Sequence, residues 1–343
     1  MPKASRLRLI RQIQRARKTH VISYVTSTRE GLEVQMAMDS VRRIYDHLVP
    51  IANSRNKPNI DLFLYSNGGD GTVPWRLVSL IREYANKFSV LVPYRAFSAA
   101  TLTALGADRI IMHPMGMLGP TDPTVSNPFN PPDPLNPQNR IGISVEDVTA
   151  YIALVREDAG IQHEDEVIQA FNRLADKVHP LALGNVKRSL SQSRMMAQKL
   201  LALHMDPQKD EHKIEEIVDN LTSKLFFHGH PINRTEAKGL GLSTIELPPM
   251  AVEKAMWRLY LDYEREIKME MPFRPAHEFV ARFPTLAVGQ QETSPAATSK
   301  LAFVESESRT DVFAWEYEIC GKKEPNGITN VQVIVRNQKW QTE

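Results

Sequence analysis

Two short segments of the chain carry residue types suited to acyl-transfer chemistry. The segment "YSNGGDG" contains Gly68 and Gly69 directly after a predicted strand, and "FSAAT" contains Ser98 directly before a predicted helix. Backbone N–H groups at such turns can hold an anion, and a serine hydroxyl beside them can attack a carbonyl carbon. This pattern makes Ser98 a candidate nucleophile, with the backbone of Gly68, Gly69 and Ala99 as a candidate oxyanion hole.

Both segments also have a purely structural explanation. Glycine pairs form tight turns between a strand and a helix, and serine is a common residue at helix N-caps. The glycine pair taken alone favours the turn, whereas the cap and the nucleophile fit the spacing of Ser98 equally well. Neither G-x-x-x-x-G-K-[ST] nor G-x-G-x-x-G occurs here, so the phosphate-binding motifs are excluded.

The elements that must position these segments predict an α/β fold. The strand-like runs "HVISYVTS", "NIDLFLYS", "SVLVPY" and "DRIIMHP" alternate with helix-like runs, which implies crossover units and a mainly parallel sheet. In such sheets ligands bind at the carboxyl ends of the strands, where both segments lie. The run "EGLEVQMAMDSVRRIYDHLVPIA" is predicted as helical, because its apolar residues from Leu32 to Leu48 recur at helical spacing.

The whole chain divides into four predicted regions. Residues 1–20 form a basic amphipathic helix, 21–270 a core domain, 271–311 a linker poor in large apolar residues, and 312–343 a β-hairpin. Within the core, the proline-rich stretch 119–142 is a predicted loop. Helical periodicity follows over 144–159, 163–177, 182–204, 210–224 and 249–270.

Composition narrows the classes of function. The net charge of +2 is too small to produce a strong positive field that would attract nucleic acid. The single cysteine rules out an internal disulfide framework. No apolar run is long enough to cross a membrane, so a cytoplasmic location is expected. We expect the first helix to pack on the domain, with contact to an anionic membrane surface as the alternative. No cofactor is expected.

The segment "VPYRAFSAATLTALGADRIIMHPMGMLGPTDP", with "YSNGG" before it and "HGHPINRTEAKGLGL" after it, resembles the serine dehydrogenase proteinase family. That family is related to ClpP-type and signal-peptide-peptidase-type serine proteases on the ClpP/crotonase fold. The resemblance covers about residues 5–270 and is specific over 60–123 and 228–242. It implies a spiral of ββα units that assembles as a homo-oligomer, a trimer or hexamer. It also implies Ser98 as nucleophile and the N–H groups of Gly69 and Ala99 as oxyanion donors.

The group that would activate Ser98 stays open, because the chain departs from the family pattern at five positions: Tyr94, Ala99, Ala100, His113 and Gly229. A serine hydroxyl needs a base to become an effective nucleophile. The first candidates for the base are His228 and His230, which lie near the later family element. Asp122 completes the predicted catalytic set. An H-x-H pair on an extended segment also suits a metal ion, although no third ligand is evident and none is predicted.

Other residues offer alternative roles. Asp122 could orient a base or cap a turn, while Lys177 or Lys187 could form a dyad with the serine if burial lowered the lysine pKa. His113 is predicted to be structural, and Arg95 to be an interface contact or a ligand for a substrate carboxylate.

The sequence therefore predicts an ATP-independent serine peptidase-like hydrolase that acts on a peptide or protein through an acyl-enzyme. The alternatives are a crotonase-like acyl-CoA enzyme, which uses the same two N–H donors, and a catalytically degenerate oligomeric scaffold. A further hypothesis makes the C-terminal hairpin an inhibitory flap over the site of its own or a neighbouring subunit, so that truncation after about residue 285 would raise activity.

Overall fold

The computed structural model describes residues 3–51, 57–121, 124–125, 127–134, 136–223 and 229–343. The strands of this part of the chain are β1 (His20–Thr26), β2 (Asn59–Tyr65), β3 (Lys87–Val92), β4 (Arg95–Ala96), β5 (Arg109–Met112), β6 (Met117–Leu118), β7 (Thr124–Val125), β8 (Ile143–Ser144), β9 (Ile245–Glu246), β10 (Gln291–Thr293), β11 (Ala297–Glu305), β12 (Thr310–Lys323) and β13 (Thr329–Thr342). The α-helices are α1 (Ala4–Arg17), α2 (Asp39–Ile51), α3 (Val73–Tyr84), α4 (Ala99–Leu105), α5 (Val145–Ala153), α6 (Glu164–Lys177), α7 (Pro180–Leu201), α8 (Glu211–Ser223), α9 (Arg234–Gly239), α10 (Met250–Ile267) and α11 (Pro275–Arg282). A π-helical turn, Leu154–Asp158, extends α5.

One large sheet organises these elements. In the described residues its strand order is β10-β12-β11-β1-β2-β3-β5-β9, with β13 paired to β12. The strands β1, β2, β3, β5 and β9 run parallel, and β11 joins β1 antiparallel. The predicted α/β class with a mainly parallel core is therefore confirmed, as is the C-terminal hairpin, which is β12 and β13.

Helices cover both faces of the sheet, so the parallel strands are buried on both sides, as such strands require. Alternate residues of β2 enter two different apolar clusters: Leu62 lies on the face covered by α2, α3, α4, α7 and α8, and Phe63 on the face covered by α1 and α10. The helix α1 buries Ile10 and Ile13 against this second face, which confirms the prediction that the first helix packs on the domain.

A small second layer of short strands lies beyond the carboxyl ends of the main sheet. Ser66 pairs with Ala96, β4 pairs with β6, and Leu118 pairs with Ile232. In the described residues β3 is followed by the short strand β4 before α4, β5 is followed by β6, and β2 by the bridge at Ser66 before α3. This is the ββα arrangement that the resemblance implied. This layer holds the turn before α4 against the loop that follows β2.

The predicted linker at 271–311 is wrong. It contains α11, β10 and β11, and β11 pairs with β1 from Ser23–Glu305 to Thr26–Ala302 in the middle of the main sheet. The core therefore does not end at residue 270. The flap hypothesis also fails within one subunit, because no residue of 312–343 lines the cavity beside Ser98. A truncation at residue 285 would remove β11 from the sheet rather than uncover a site.

The helix predicted over 30–52 begins later than its pattern suggests. The structure starts α2 at Asp39, and residues 32–38 are irregular apart from one bridge between Met36 and Gly69. Leu32 and Met36 are four residues apart, a helical spacing, but Leu32 packs against the C-terminal strands and Met36 against the loop after β2. Leu32 and Met36 therefore have the spacing of residues on one helix face, although neither lies in a helix.

Candidate active site

Ser98 occupies an unusual backbone conformation between β4 and α4. Its φ of 51° and ψ of −114° lie outside the regions that residues with a side chain normally adopt. The other non-glycine residues with positive φ in the described chain, Lys18 and Lys268, lie in the ordinary left-handed conformation that ends a helix. Ser98 precedes α4 at the N-cap position, but its side chain makes no capping hydrogen bond. The Ser98 hydroxyl thus does not cap the helix, and a strained residue of this kind is typical of functional sites.

Gly68 packs directly against the turn that carries Ser98. A Cβ added at Gly68 would lie 2.8 Å from the carbonyl oxygen of Phe97 and 2.8 Å from the Cβ of Ser98. Two backbone hydrogen bonds hold the segments at this separation: Ser66 N–H donates to the Arg95 carbonyl at 3.0 Å, and Phe97 N–H donates to the Ser66 carbonyl at 3.0 Å. With a φ of +100° as well, position 68 requires glycine.

Gly69 is held from its other side by Met36. Met36 N–H donates to the Gly68 carbonyl at 2.8 Å, and Asp70 N–H donates to the Met36 carbonyl at 2.9 Å. A Cβ added at Gly69 would lie 2.5 Å from the Met36 nitrogen. In this parallel bridge the N–H and carbonyl of Met36 bond to Gly68 and Asp70, the residues on either side of Gly69. The N–H of Gly69 itself has no acceptor among the described residues, and neither has that of Ala99 in the first turn of α4.

A cavity of about 560 Å³ opens beside these groups. Its described lining comes from five parts of the chain: the segment after β1 (Ser27 and residues 33–35), the loop 67–72, the start of α4 (Ser98, Ala99 and Leu102), Thr121 after β6, and α7 through Ser189, Gln192 and Ser193. Ser193 Oγ donates to the Thr121 carbonyl at 2.5 Å, which ties α7 to the chain just past β6. Sequence reasoning missed the contributions of residues 33–35 and α7, because no motif marks either segment.

The cavity brings Ser98, Gly68, Gly69 and Ala99 together, as predicted, but supplies no evident base. Its titratable lining residues in the described chain are two carboxylates, on Glu33 and Asp70. Asp70 Oδ1 accepts from the N–H of Thr72 at 2.8 Å and from its hydroxyl at 2.7 Å, which fixes the turn just before α3. Ser98 Oγ has no hydrogen-bond partner in the part of the chain that the structure describes.

The predicted relay residues have different positions. His230 Nε2 lies 2.6 Å from Glu236 Oε1, and His230 does not line the Ser98 cavity. The chain after His230 does return to the site side, since Ile232 pairs with Leu118 in the small second layer. His228 and Asp122 lie outside the described residues.

The alternative bases and neighbours fall elsewhere. Lys187 lines a separate groove between α5 and α7, and Lys177 ends α6; neither lines the Ser98 cavity. His113 Nδ1 accepts the Met115 N–H at 3.1 Å, its ring stacks on Trp257, and burial lowers its pKa. These contacts fit the structural role predicted for it. Arg95 lies over the ring of Tyr94 at 5.0 Å.

The described residues offer neither a metal site nor a membrane span. They contain no group of three or more His, Cys, Asp or Glu side chains arranged to hold a metal ion. None of the helices they form combines the length and the apolar character needed to cross a bilayer.

Residues 2–196, more than half of the chain, match the family described as ClpP-like SDH-type serine proteinase. The chain belongs to this family. The matched region contains both β2–α3 and β4–α4, which form the glycine loop and the Ser98 turn. The family membership supports a serine peptidase-like hydrolase. The match ends within α7, so α8–α11 and the strands β9–β13 lie outside it.

Relatives and solved structures give further likenesses. Two uncharacterized proteins of Methanocaldococcus jannaschii are 26% identical to this ClpP-like chain over 240 and 243 residues, covering 69% of it and 70% and 72% of their own lengths. A variant of the 1510-N membrane-bound stomatin-specific protease is 15% identical, with a TM-score of 0.36, over 66% of this chain and 79% of its own. A monofunctional enoyl-CoA isomerase from M. smegmatis is 13% identical, with a TM-score of 0.35, over 77% of this chain and 87% of its own.

Proposed function

We propose that the protein hydrolyses peptide bonds through an acyl-enzyme on Ser98, with the N–H groups of Gly69 and Ala99 as the oxyanion hole. One observation carries the proposal: a strained serine lines the same cavity as two residues whose N–H groups have no acceptor in the described chain. Backbone N–H groups without an acceptor are costly unless a ligand or water satisfies them. A developing oxyanion would satisfy both at once.

The proposed reaction has two stages. Ser98 Oγ attacks the carbonyl carbon of the substrate, its proton passes to a base, and charge develops on the carbonyl oxygen between the two N–H donors. The C–N bond then breaks, the amine leaves with the proton, and water hydrolyses the ester on Ser98. We keep Asp122 and His228 as candidates for the proton relay. Thr121, which precedes Asp122, lines the cavity, and Ile232, four residues after His228, pairs with the second layer.

Covalent labelling with a fluorophosphonate tests the proposal directly. The wild-type protein should form a one-to-one adduct on Ser98, and Ser98→Ala should abolish both the adduct and peptidase activity. Ser189→Ala is the matched control, because Ser189 lines the same cavity from α7 without a strained backbone or adjacent unbonded N–H groups. Equal labelling of wild type and Ser98→Ala would remove the serine from the mechanism.

A catalytically degenerate scaffold is the second candidate, favoured by the absence of a histidine or lysine from the described lining of the cavity. In that case the wild-type protein would bind a peptide in the cavity without turnover and without labelling. The crotonase-like alternative predicts binding of an acyl-CoA thioester that survives Ser98→Ala. We propose a peptide or protein as the substrate, and the homo-oligomer remains an expectation that sedimentation would test.

A further inference from the structure

Residues 27–36, here called the wall segment, connect β1 to α2 and contact two distant parts of the molecule. Glu33, Val34 and Gln35 line the Ser98 cavity, and Met36 bridges to Gly69. The segment has no regular secondary structure apart from this bridge. Two internal hydrogen bonds shape it, from the Leu32 N–H to the Arg29 carbonyl and from the Val34 N–H to the Ser27 carbonyl, both at 2.9 Å. Its position in the molecule depends on what it packs against.

The C-terminal module, residues 271–343, holds the first half of the wall segment. Phe273 N–H donates to the Glu30 carbonyl at 2.8 Å, and Arg29 Nε donates to the Met271 carbonyl at 2.6 Å. Arg29 is 5% exposed, and its guanidinium lies 5.6 Å from the centre of the Phe273 ring. The fit is tight, because a Cβ added at Gly31 would lie 2.8 Å from the Phe273 carbonyl oxygen.

Apolar packing continues the same contact. Leu32 is buried in a cluster with Phe273, Phe279, Leu301 and Tyr317, so it is anchored to α11, β11 and β12. Beyond this anchor only three residues, 33–35, precede Met36, which makes two hydrogen bonds around Gly69. So short a connection leaves little slack, and a displacement of Leu32 is therefore passed on to Met36.

We propose that the C-terminal module positions the Gly69 loop by fixing the wall segment, so that Gly31, Arg29 and Phe273 are positioning residues for the oxyanion hole. The proposal rests on the function proposed above for what the loop does, although the mechanical coupling itself stands on the contacts alone. It assigns a role to a region outside the matched part of the family. The role is the opposite of a flap, since the module supports the site from outside the cavity.

Gly31→Ala tests the coupling, and the chain offers a closely matched control. Gly31 and Gly289 share a φ of +82°, so an alanine is forced to the same positive φ at both. Only Gly31 faces a backbone oxygen, whereas nothing lies within 4 Å of a Cβ added at Gly289. The comparison therefore isolates the contact with Phe273 from the cost of the conformation.

Hydrogen exchange at the Met36 and Asp70 amides reads the loop without requiring any activity. We expect Gly31→Ala to speed exchange of these two amides at least tenfold relative to Gly289→Ala, while the amides of β1 and β2 exchange alike in both. The fluorophosphonate labelling rate of Ser98 should fall about tenfold in Gly31→Ala alone. If Gly31→Ala does not fold, Arg29→Met provides the same readouts, because it removes the bond to Met271 and keeps the side-chain volume.

Unchanged exchange at Met36 and Asp70 in a folded Gly31→Ala or Arg29→Met protein would overturn the coupling. Faster exchange with an unchanged labelling rate would overturn the positioning role and leave Ser98 as nucleophile. Wild-type protein that fails to label at all would refute the proposed function, while the exchange data would still decide whether the module holds the loop.

Discussion

Replacing Gly68 by alanine is the sharpest perturbation of the candidate site. The substitution adds a single methyl group at the contact between the glycine loop and the Ser98 turn. The added Cβ would meet the Phe97 carbonyl oxygen and the Ser98 Cβ at 2.8 Å, and the Ala99 nitrogen at 3.1 Å. Two of these three atoms belong to the proposed nucleophile and to one proposed oxyanion donor. The loop and the Ser98 turn must therefore move apart.

The cost follows from two effects. An alanine forced to positive φ loses roughly 1–2 kcal/mol, and overpacking a close contact costs about 1–3 kcal/mol. We therefore expect the free energy of unfolding to fall by about 2–5 kcal/mol. A displacement of about 1 Å at reacting groups lowers rates by about a hundredfold, so the labelling rate of Ser98 should fall by that factor.

Urea unfolding and fluorophosphonate labelling measure the two effects separately. Gly71→Ala is the control, because Gly71 belongs to the same loop and nothing lies within 4 Å of a Cβ added there. That variant should match the wild-type stability within about 1 kcal/mol and keep the wild-type labelling rate. A Gly68→Ala protein as stable as wild type and labelled at the same rate would refute the packing argument.

Three further predictions concern the fold. Truncation after residue 285 removes β11 from its pairing with β1, so the product should be unfolded or aggregated by circular dichroism and gel filtration; a folded, more active product would restore the flap hypothesis. Burial lowers the pKa of His47 to about 4, although the carboxylate of Asp311 opposes this. Protonation therefore favours the unfolded chain below the usual histidine pKa of about 6.5, and the free energy of unfolding should fall by up to about 3 kcal/mol between about pH 6.5 and pH 4. His47→Gln should flatten that part of a stability–pH profile, and an unchanged slope would contradict the assignment. Arg6→Met leaves the fully buried Glu305 without its guanidinium partner at 2.7 Å, so the free energy of urea unfolding should fall by about 3–5 kcal/mol. Arg11→Met removes an exposed ion pair on the same helix and should cost less than about 1 kcal/mol. Equal losses in the two variants would show that burial does not set the difference.

The parallel half of the sheet was predictable from local patterns, and the antiparallel half was not. Each parallel strand is a short apolar run followed by a helix, which is a signal contained within about thirty residues. The apolar part of β11 is brief, "LAFV", and it follows a stretch of serine, threonine, proline and alanine. Its place is fixed by pairing with β1, which lies more than 270 residues earlier. Composition alone makes such a strand look like a linker.

The wall segment shows how periodicity can mislead at a site. Its Leu32 and Met36 continue the helical spacing of α2, yet the helix begins only at Asp39. The positive φ of Gly31 and the bridge at Met36 hold the chain in an irregular path instead. Tertiary contacts from the C-terminal module and the glycine loop outweigh a weak local preference for helix.

The two halves of the candidate site differ in the same way. The oxyanion half was predictable because the ends of adjacent parallel strands meet at one edge of the sheet, so the glycine loop and Ser98 had to be neighbours. The base half depends on which distant segment returns to that edge and on which partner its side chains choose. His230 lies on a returning segment, but its imidazole pairs with Glu236, six residues later, at 2.6 Å. A histidine near the edge of the sheet that carries Ser98 is therefore insufficient evidence for a relay. The base for Ser98 must instead be identified as the residue whose substitution abolishes fluorophosphonate labelling of Ser98.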